Sequence, residues 1–314
     1  MTYMRPSALG DVEPALHLPR WAAPRAESPD YNASAAGAAL AVLDAAMRAP
    51  EGVSVHRLLA NTLALCAAER LSRIEGRCAT SEAIRDAYYL TPAGSDHGPD
   101  AALLAFWRQF ARVPMRGSKW VESAESALNR PDFPIQTWLQ SAHEQIREAG
   151  PLPMVRHVFR TVLSEDPQAE KEACALADLL LAKALGWTAP LPVLALTLTP
   201  SRLRDLHTAA TPASFHSATW GNAEVILHTM RQVSVASRRL QAVAGKLRTK
   251  GAADAVDLFL NEPVVAPSTM LSPRVQGTRT PMTGRAARRL CARLVELGVA
   301  KEKTGRDTFR LYGL

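Results

Sequence analysis

No apolar run in these 314 residues approaches the ~18–20 that a membrane-spanning helix needs. The longest, Ala35 to Leu43 and Pro190 to Leu198, are about half that length. Met1 to Pro19 carries acidic Asp11 and Glu13 and has no apolar stretch of its own, so no secretory signal is expected. Cysteine is scarce: Cys66, Cys78, Cys174 and Cys291 lie far apart with no CxxC pair, which excludes a disulfide framework and suits reduced thiols in a cytoplasm. Aromatic residues make up 6% of the chain and charged residues 21%, while 47% is hydrophobic. That is enough apolar surface to bury a core, so intrinsic disorder is excluded as well.

The common catalytic signatures are missing too. Neither a GxxxxGKS/T phosphate loop nor a GxSxG nucleophile elbow occurs. His143-Glu144 with Glu148 is half of a zinc-binding HExxH, but Arg147 stands where the second histidine should be. Asp96-His97-Gly98, with Asp86 and Asp100 nearby, could hold a divalent ion or do acid–base work. The plainer reading is that Asp96 or Asp100 caps the next helix while Gly94 and Gly98 allow the turn. No catalytic, cofactor-binding or metal-ligating residue is therefore assigned, and no enzyme is expected.

Charge, by contrast, is concentrated. Arg231 to Leu314 holds 16 lysines and arginines against 6 aspartates and glutamates, a local balance of +10 within a whole-chain charge of +7. The rest of the chain is mildly acidic, at −3. A basic segment beside an acidic body points to a polyanion partner, nucleic acid first.

The pattern along the chain is helical. Residues 1 to 31, with Pro6, Pro14, Pro19, Pro24 and Pro29, read as an extended arm held down by Trp21 or Leu16. Helices are expected over Ala35–Met47, Ser54–Ile74 (ended by Gly76), Thr80–Tyr89, Asp100–Val113, Lys119–Leu128, Pro134–Ala149, Pro153–Leu163 and Glu170–Trp187, and over Asn222–Leu247. The tryptophans Trp107, Trp120, Trp138 and Trp187 sit on such helices and read as packing residues, as do Cys66, Cys174 and Cys291. Pro190–Leu198 is short and apolar and is read as a buried helix. His207–Gly221 is polar and reads as a connection. The body, 32 to 250, is thus all-α.

Residues 251 to 314 read as a helix (Ala252–Asn261), an irregular stretch, a second helix and a hairpin. Glu262 to Met282 contains Pro263, Pro267, Pro273 and Pro281, which leaves room for one turn near Ser268–Leu271. Thr283 is an N-cap for Gly284–Leu297, and Gly298 follows its end. At ~100° per residue, Ala286, Ala287, Leu290, Leu294 and Leu297 gather on one side. Arg285, Arg288, Arg289 and Arg293 gather on the other. Val299–Lys303 and Thr308–Tyr312 form a ribbon about Thr304-Gly305-Arg306-Asp307, with Phe309 and Leu311 on one face.

That order of elements is the plan of a winged helix-turn-helix, and GRAARRLCARLVELGVAKEKTGRDTFRLYGL is similar to the winged-helix module appended to some Fic-type proteins. The body does not follow suit, since neither His216 nor Trp220-Gly221-Asn222 supplies the acidic-GNGR loop of Fic chemistry. Over nearly its whole length the chain resembles an uncharacterised bacterial family known as domain of unknown function 1403. The resemblance is carried by AIRDAYYL with the GSDHGP loop, ADLLLAKALGW, KLRTKGAADAVDLFL and the ending quoted above. It implies no activity.

The expectation is an all-α body followed by a basic winged-helix module that binds double-stranded DNA in the cytoplasm, as a regulator of transcription or of plasmid or chromosome maintenance. Arg285, Arg288, Arg289 and Arg293 would meet the groove, and Lys301, Lys303, Arg306 and Arg310 the phosphates. Arg231, Arg238, Arg239, Lys246, Arg248 and Lys250 would extend the footprint. The body would self-associate or bind a partner. The alternative is a non-catalytic scaffold subunit, its winged helix docking onto another protein as in condensin-associated subunits.

Overall fold

The computed structural model describes residues 17–25, 28–92, 94–208, 212–248, 251–272, 282–306 and 308–314, with backbone alone for 143–149, 207 and 208. Among them are twelve α-helices and one two-stranded antiparallel sheet. Most of the N-terminal arm, with Leu16, lies outside the described residues. Its visible part is a turn of 3-10 helix, Arg20–Ala22, anchored by buried Leu18, whereas Trp21 is 73% exposed. Asn32 ties the arm down by accepting from the Arg25 amide (2.7 Å) and donating to the Arg25 carbonyl (2.9 Å).

Helix α1 (Pro29–Arg48) and α2 (Pro50–Ile74) both start earlier than periodicity predicts, each at a proline in its first turn. Proline costs nothing there, because the first amides of a helix have no partner and its fixed φ is already helical. Thr80 caps α3 (Ser81–Leu90) as expected, accepting from the Ala83 amide. There follow α4 (Gly98–Phe110), α5 (Trp120–Leu128), α6 (Ile135–Ala149), α7 (Pro151–Glu165) and α8 (Glu170–Ala184). Every residue of α8 from Glu172 to Ala182 is buried, so this stretch is apolar all round apart from Glu172 and Asp178, because no face of it meets water. Trp107, Trp138 and Trp187 are likewise buried, and Trp120 is partly so.

Two expectations fail after α8. Pro190–Leu198 is not an α-helix; it runs as buried chain without regular structure into a 3-10 turn, Leu194–Thr197. Pro190 and Pro192 remove two amide donors, and the buried Asp178 carboxyl takes up the next two, accepting from Val193 (2.8 Å) and Leu194 (3.1 Å). Burial pushes the Asp178 carboxyl well above the usual carboxylate range, while those two amides pull it down. A carboxyl raised in the folded state stabilises fully below its ordinary value, and that contribution is lost as pH rises towards the folded one. Asp178→Ala should therefore cost about 1–3 kcal/mol for each orphaned amide. Asp178→Asn keeps an acceptor and should gain on the wild type as pH rises, which urea denaturation at pH 5 and pH 8 would measure.

The second failure is the connection expected over His207–Gly221. Helix α9 (Pro200–Thr208) and the start of α10 (Ala213–Ala244) occupy it instead. Phe215, His216, Ala218 and Thr219 face the core, so burial outweighs the low helix propensity of a Ser- and Thr-rich stretch. Helix α10 then lies along α1 and α2. One large core unites α1 to α10. A second, smaller one gathers Phe259, Val265, Leu290, Leu294 and Tyr312 with Leu240 of α10.

Candidate nucleic-acid interface

The second core holds a short, cross-linked unit. Helix α11 (Ala252–Asn261) leads to Val265, which pairs antiparallel with Tyr312, exchanging bonds of 2.6 and 2.9 Å. A single turn follows, closed by the Met270 amide on the Ala266 carbonyl (2.9 Å), as the prolines require. Pro273 and Pro281 lie outside the described residues. Helix α12 (Gly284–Glu296) is capped by Thr283, which accepts from the Ala286 amide, and ended by Gly298 at φ +68°. Its inner side, Ala287, Leu290, Cys291 and Leu294, is buried.

The hairpin is β1 (Lys301–Glu302) against β2 (Tyr312–Gly313). It is shorter than expected. Glu302 shapes its turn by accepting from the amides of Thr304 (2.8 Å) and Gly305 (3.0 Å) and from the Thr304 hydroxyl. Although burial works the other way, these bonds hold its carboxyl below the usual range. Gly313 must be glycine, since a Cβ there would lie 2.5 Å from the Pro263 carbonyl oxygen. Phe309 and Leu311 do not share a face: Phe309 adopts φ +54° and is 69% exposed, while Leu311 is fully buried. One left-handed residue ends the two-residue alternation of a strand.

Between α12 and the hairpin lies an open groove of about 1020 Å³. Arg285, Arg288, Arg289 and Ala292 form one wall, Thr308, Phe309, Arg310 and Tyr312 the other, with Pro267 and Ser268 from the single turn. Among the described residues, Arg285, Arg288 and Arg289 have no carboxylate partner and are exposed. Arg310 donates to the Arg306 carbonyl at 2.8 Å. Arg293 is not in the groove lining and pairs with Glu296 at 2.9 Å.

The far side of the hairpin rests on α3. Arg306 pairs with Asp86 (3.1 Å), which also receives the guanidinium of Arg85; Arg85 in turn donates to the Lys303 carbonyl at 3.2 Å. Lys303 is half-buried, its Nζ donating to the Leu314 backbone oxygen at 3.3 Å. Burial, with Lys301 and Arg85 nearby, holds its ammonium below the usual lysine range. Lys301 is exposed at the base of β1. Of the eight basic residues singled out in the sequence, Arg285, Arg288, Arg289 and Arg310 line the groove, while Arg293 and Lys301 are exposed outside its lining. Arg306 ties the module to the body through its side chain, and Lys303 only through its backbone carbonyl.

A deeper tie lies behind the groove. Glu262, directly after α11, makes a two-bond ion pair with Arg108 of α4, both at 2.8 Å, and accepts from the Tyr89 hydroxyl at 3.0 Å. Burial works against the charge of Arg108, but the Glu262 bonds outweigh it and raise its pKa. Asn61 of α2 donates to the Asn261 carbonyl at 2.7 Å. Contacts this distant in the chain leave no trace in periodicity.

On the long helix, Arg238 pairs with Glu51 at 3.1 Å, while Lys246 and Arg248 are exposed beyond the end of α10; Lys250 lies outside the described residues. Asp96 accepts from the Gly98 amide (2.8 Å), Asp100 pairs with Arg77 (2.8 Å), and His97 stacks on Tyr88, so this loop starts α4. The side chains of His143, Glu144, Arg147 and Glu148 lie outside the described residues. Among the described residues, no cluster of His, Cys, Asp and Glu could hold a metal ion, and no helix is long and apolar enough to cross a membrane. Cys174 and Cys291 are buried, and burial pushes the Cys291 thiol up to about 12, far from a reactive thiolate.

Fold and groove together describe a mostly helical protein with a compact basic unit packed on α2 and α10 and tied by side chains to α3 and α4. Residues 6–314 match the family described as protein of unknown function (DUF1403), and the chain belongs to it. No curated protein and no solved structure matches the chain.

Proposed function

We propose that residues 251–314 are a winged helix-turn-helix that binds double-stranded DNA, and that the protein is a DNA-associated regulator whose helical body, 32–250, carries the module. The order of elements supports the winged helix: α11, the isolated Val265 bridge to Tyr312 of β2, a single turn, α12, then β1 and β2. In that plan α12 is the helix presented to the duplex. A helix about 10–12 Å across fits a major groove about 12 Å wide.

The observation that carries the reading is the row Arg285, Arg288 and Arg289, exposed on the groove and without a carboxylate among the described residues. The same chain gives Arg293, Arg306 and Arg238 acidic partners. Three like charges held together in water repel one another, and a line of phosphates relieves that repulsion while releasing counterions. Guanidinium groups can also meet guanine edges with two bonds each.

Binding should therefore depend on salt. If the three arginines each neutralise one phosphate, log affinity falls against log salt with a slope of about −2.7, roughly 40-fold between 50 and 200 mM. Anisotropy titration of a labelled duplex with the full chain would measure this. No binding at 50 mM salt would refute the DNA reading and favour docking onto a protein.

A further inference from the structure

Phe309 is hard to explain by folding. Its ring gains nothing from burial, since it is 69% exposed, and its backbone sits at φ +54°, where a side chain with a Cβ is strained and glycine or asparagine would rest more easily. Were the residue extended, the strand alternation would send its ring to the buried side with Leu311; the left-handed turn sends it into the groove instead. The core of this module therefore closes without Phe309, and the local strain is spent on keeping an aromatic face outside.

Its surroundings select what the face meets. The ring shares its groove with Arg285, Arg288, Arg289 and Arg310, and with the apolar surfaces of Pro267 and Tyr312. A protein partner for so basic a groove would need a run of carboxylates and an aromatic acceptor together. A nucleic acid offers both kinds of contact in every nucleotide, a phosphate for the guanidiniums and a flat base for the ring. Stacked, paired bases present no free face, so the ring can be used fully where the duplex is locally opened.

Resting on the DNA reading above, we infer that Phe309 is a stacking probe: the hairpin binds a duplex at an unpaired or unstacked nucleotide, the base lying on the Phe309 ring while the α12 arginines hold the flanking phosphates. Base–aromatic stacking is worth about 5- to 150-fold in affinity. The full chain should therefore bind a duplex with one unpaired adenine at least fivefold more tightly than the fully paired duplex of equal length. Phe309→Ala should abolish that preference, bringing the unpaired-adenine duplex and the paired duplex to equal affinity, and Phe309→Trp should retain it. The residue is exposed, so the variants keep the fold, which circular dichroism would verify. Equal affinity of the wild type for both duplexes, or a preference that survives Phe309→Ala, overturns the stacking role and leaves the DNA reading standing. Binding to neither duplex overturns both.

Discussion

Replacing Arg285, Arg288 and Arg289 together by alanine should remove most of the affinity of the chain for duplex DNA. Each charge-assisted bond to a phosphate at an exposed site is worth about 1 kcal/mol, so the three together amount to roughly 100-fold. The salt slope should shrink by about 2.7 in the same variant, because slope counts phosphates where affinity alone does not. Stability should hardly change: the three side chains face water, none is in an ion pair among the described residues, and alanine is the best helix former. Lysine at the same positions separates two uses of the charge. It still reaches a phosphate but cannot make the planar two-bond contact to guanine. Arg288→Lys with Arg289→Lys should then preserve binding to arbitrary duplexes and weaken any discrimination between sequences.

The other large effect expected is on folding. Arg108 and Glu262 are 6% and 8% exposed, joined by two bonds and flanked by the Tyr89 hydroxyl, which donates to Glu262 and accepts from Arg108. Glu262→Ala would strand a guanidinium among Tyr88 and Tyr89, and leaving one buried charge unpaired typically costs about 3–5 kcal/mol. Replacing both partners by apolar residues of like size, Arg108→Met with Glu262→Leu, should recover most of that loss. The wild-type network is itself incomplete, since Arg108 Nε has no hydrogen-bond partner among the described residues. Urea denaturation of the two single variants and the double one would give the coupling directly. Because Glu262 lies between α11 and the Val265 bridge, the pair also ties the basic unit to α4.

Helix α12 is legible from sequence almost to the residue, because its signals are local: a threonine cap, a glycine after the last turn, and arginines and leucines on opposite sides. The all-helical body is legible for the same reason. What escapes depends on partners far along the chain. Residues 213–221 look like a loop until Phe215 and His216 are seen to face the core, and Pro190–Leu198 looks helical until Asp178 is seen to hold its amides. At the candidate site, composition gathers the basic residues but cannot divide them. Asp86 is over 200 residues from Arg306 in sequence and 3.1 Å away in space, and it turns that arginine into a structural tie. Strand alternation puts Phe309 on the wrong face because it assumes a backbone that this residue does not adopt.

The proposed function puts duplex DNA in the groove between α12 and the hairpin. Ala292 is exposed on the groove wall among the arginines, so a benzophenone amino acid in its place would probe that space without disturbing the buried side of the helix. Irradiated with duplex DNA at 50 mM salt, the full chain so labelled should cross-link to the duplex, and the adduct should disappear when Arg285, Arg288 and Arg289 are also alanine. A chain that binds the duplex yet cross-links nothing from position 292, while a probe at exposed Val53 on α2 does cross-link, would contradict the account.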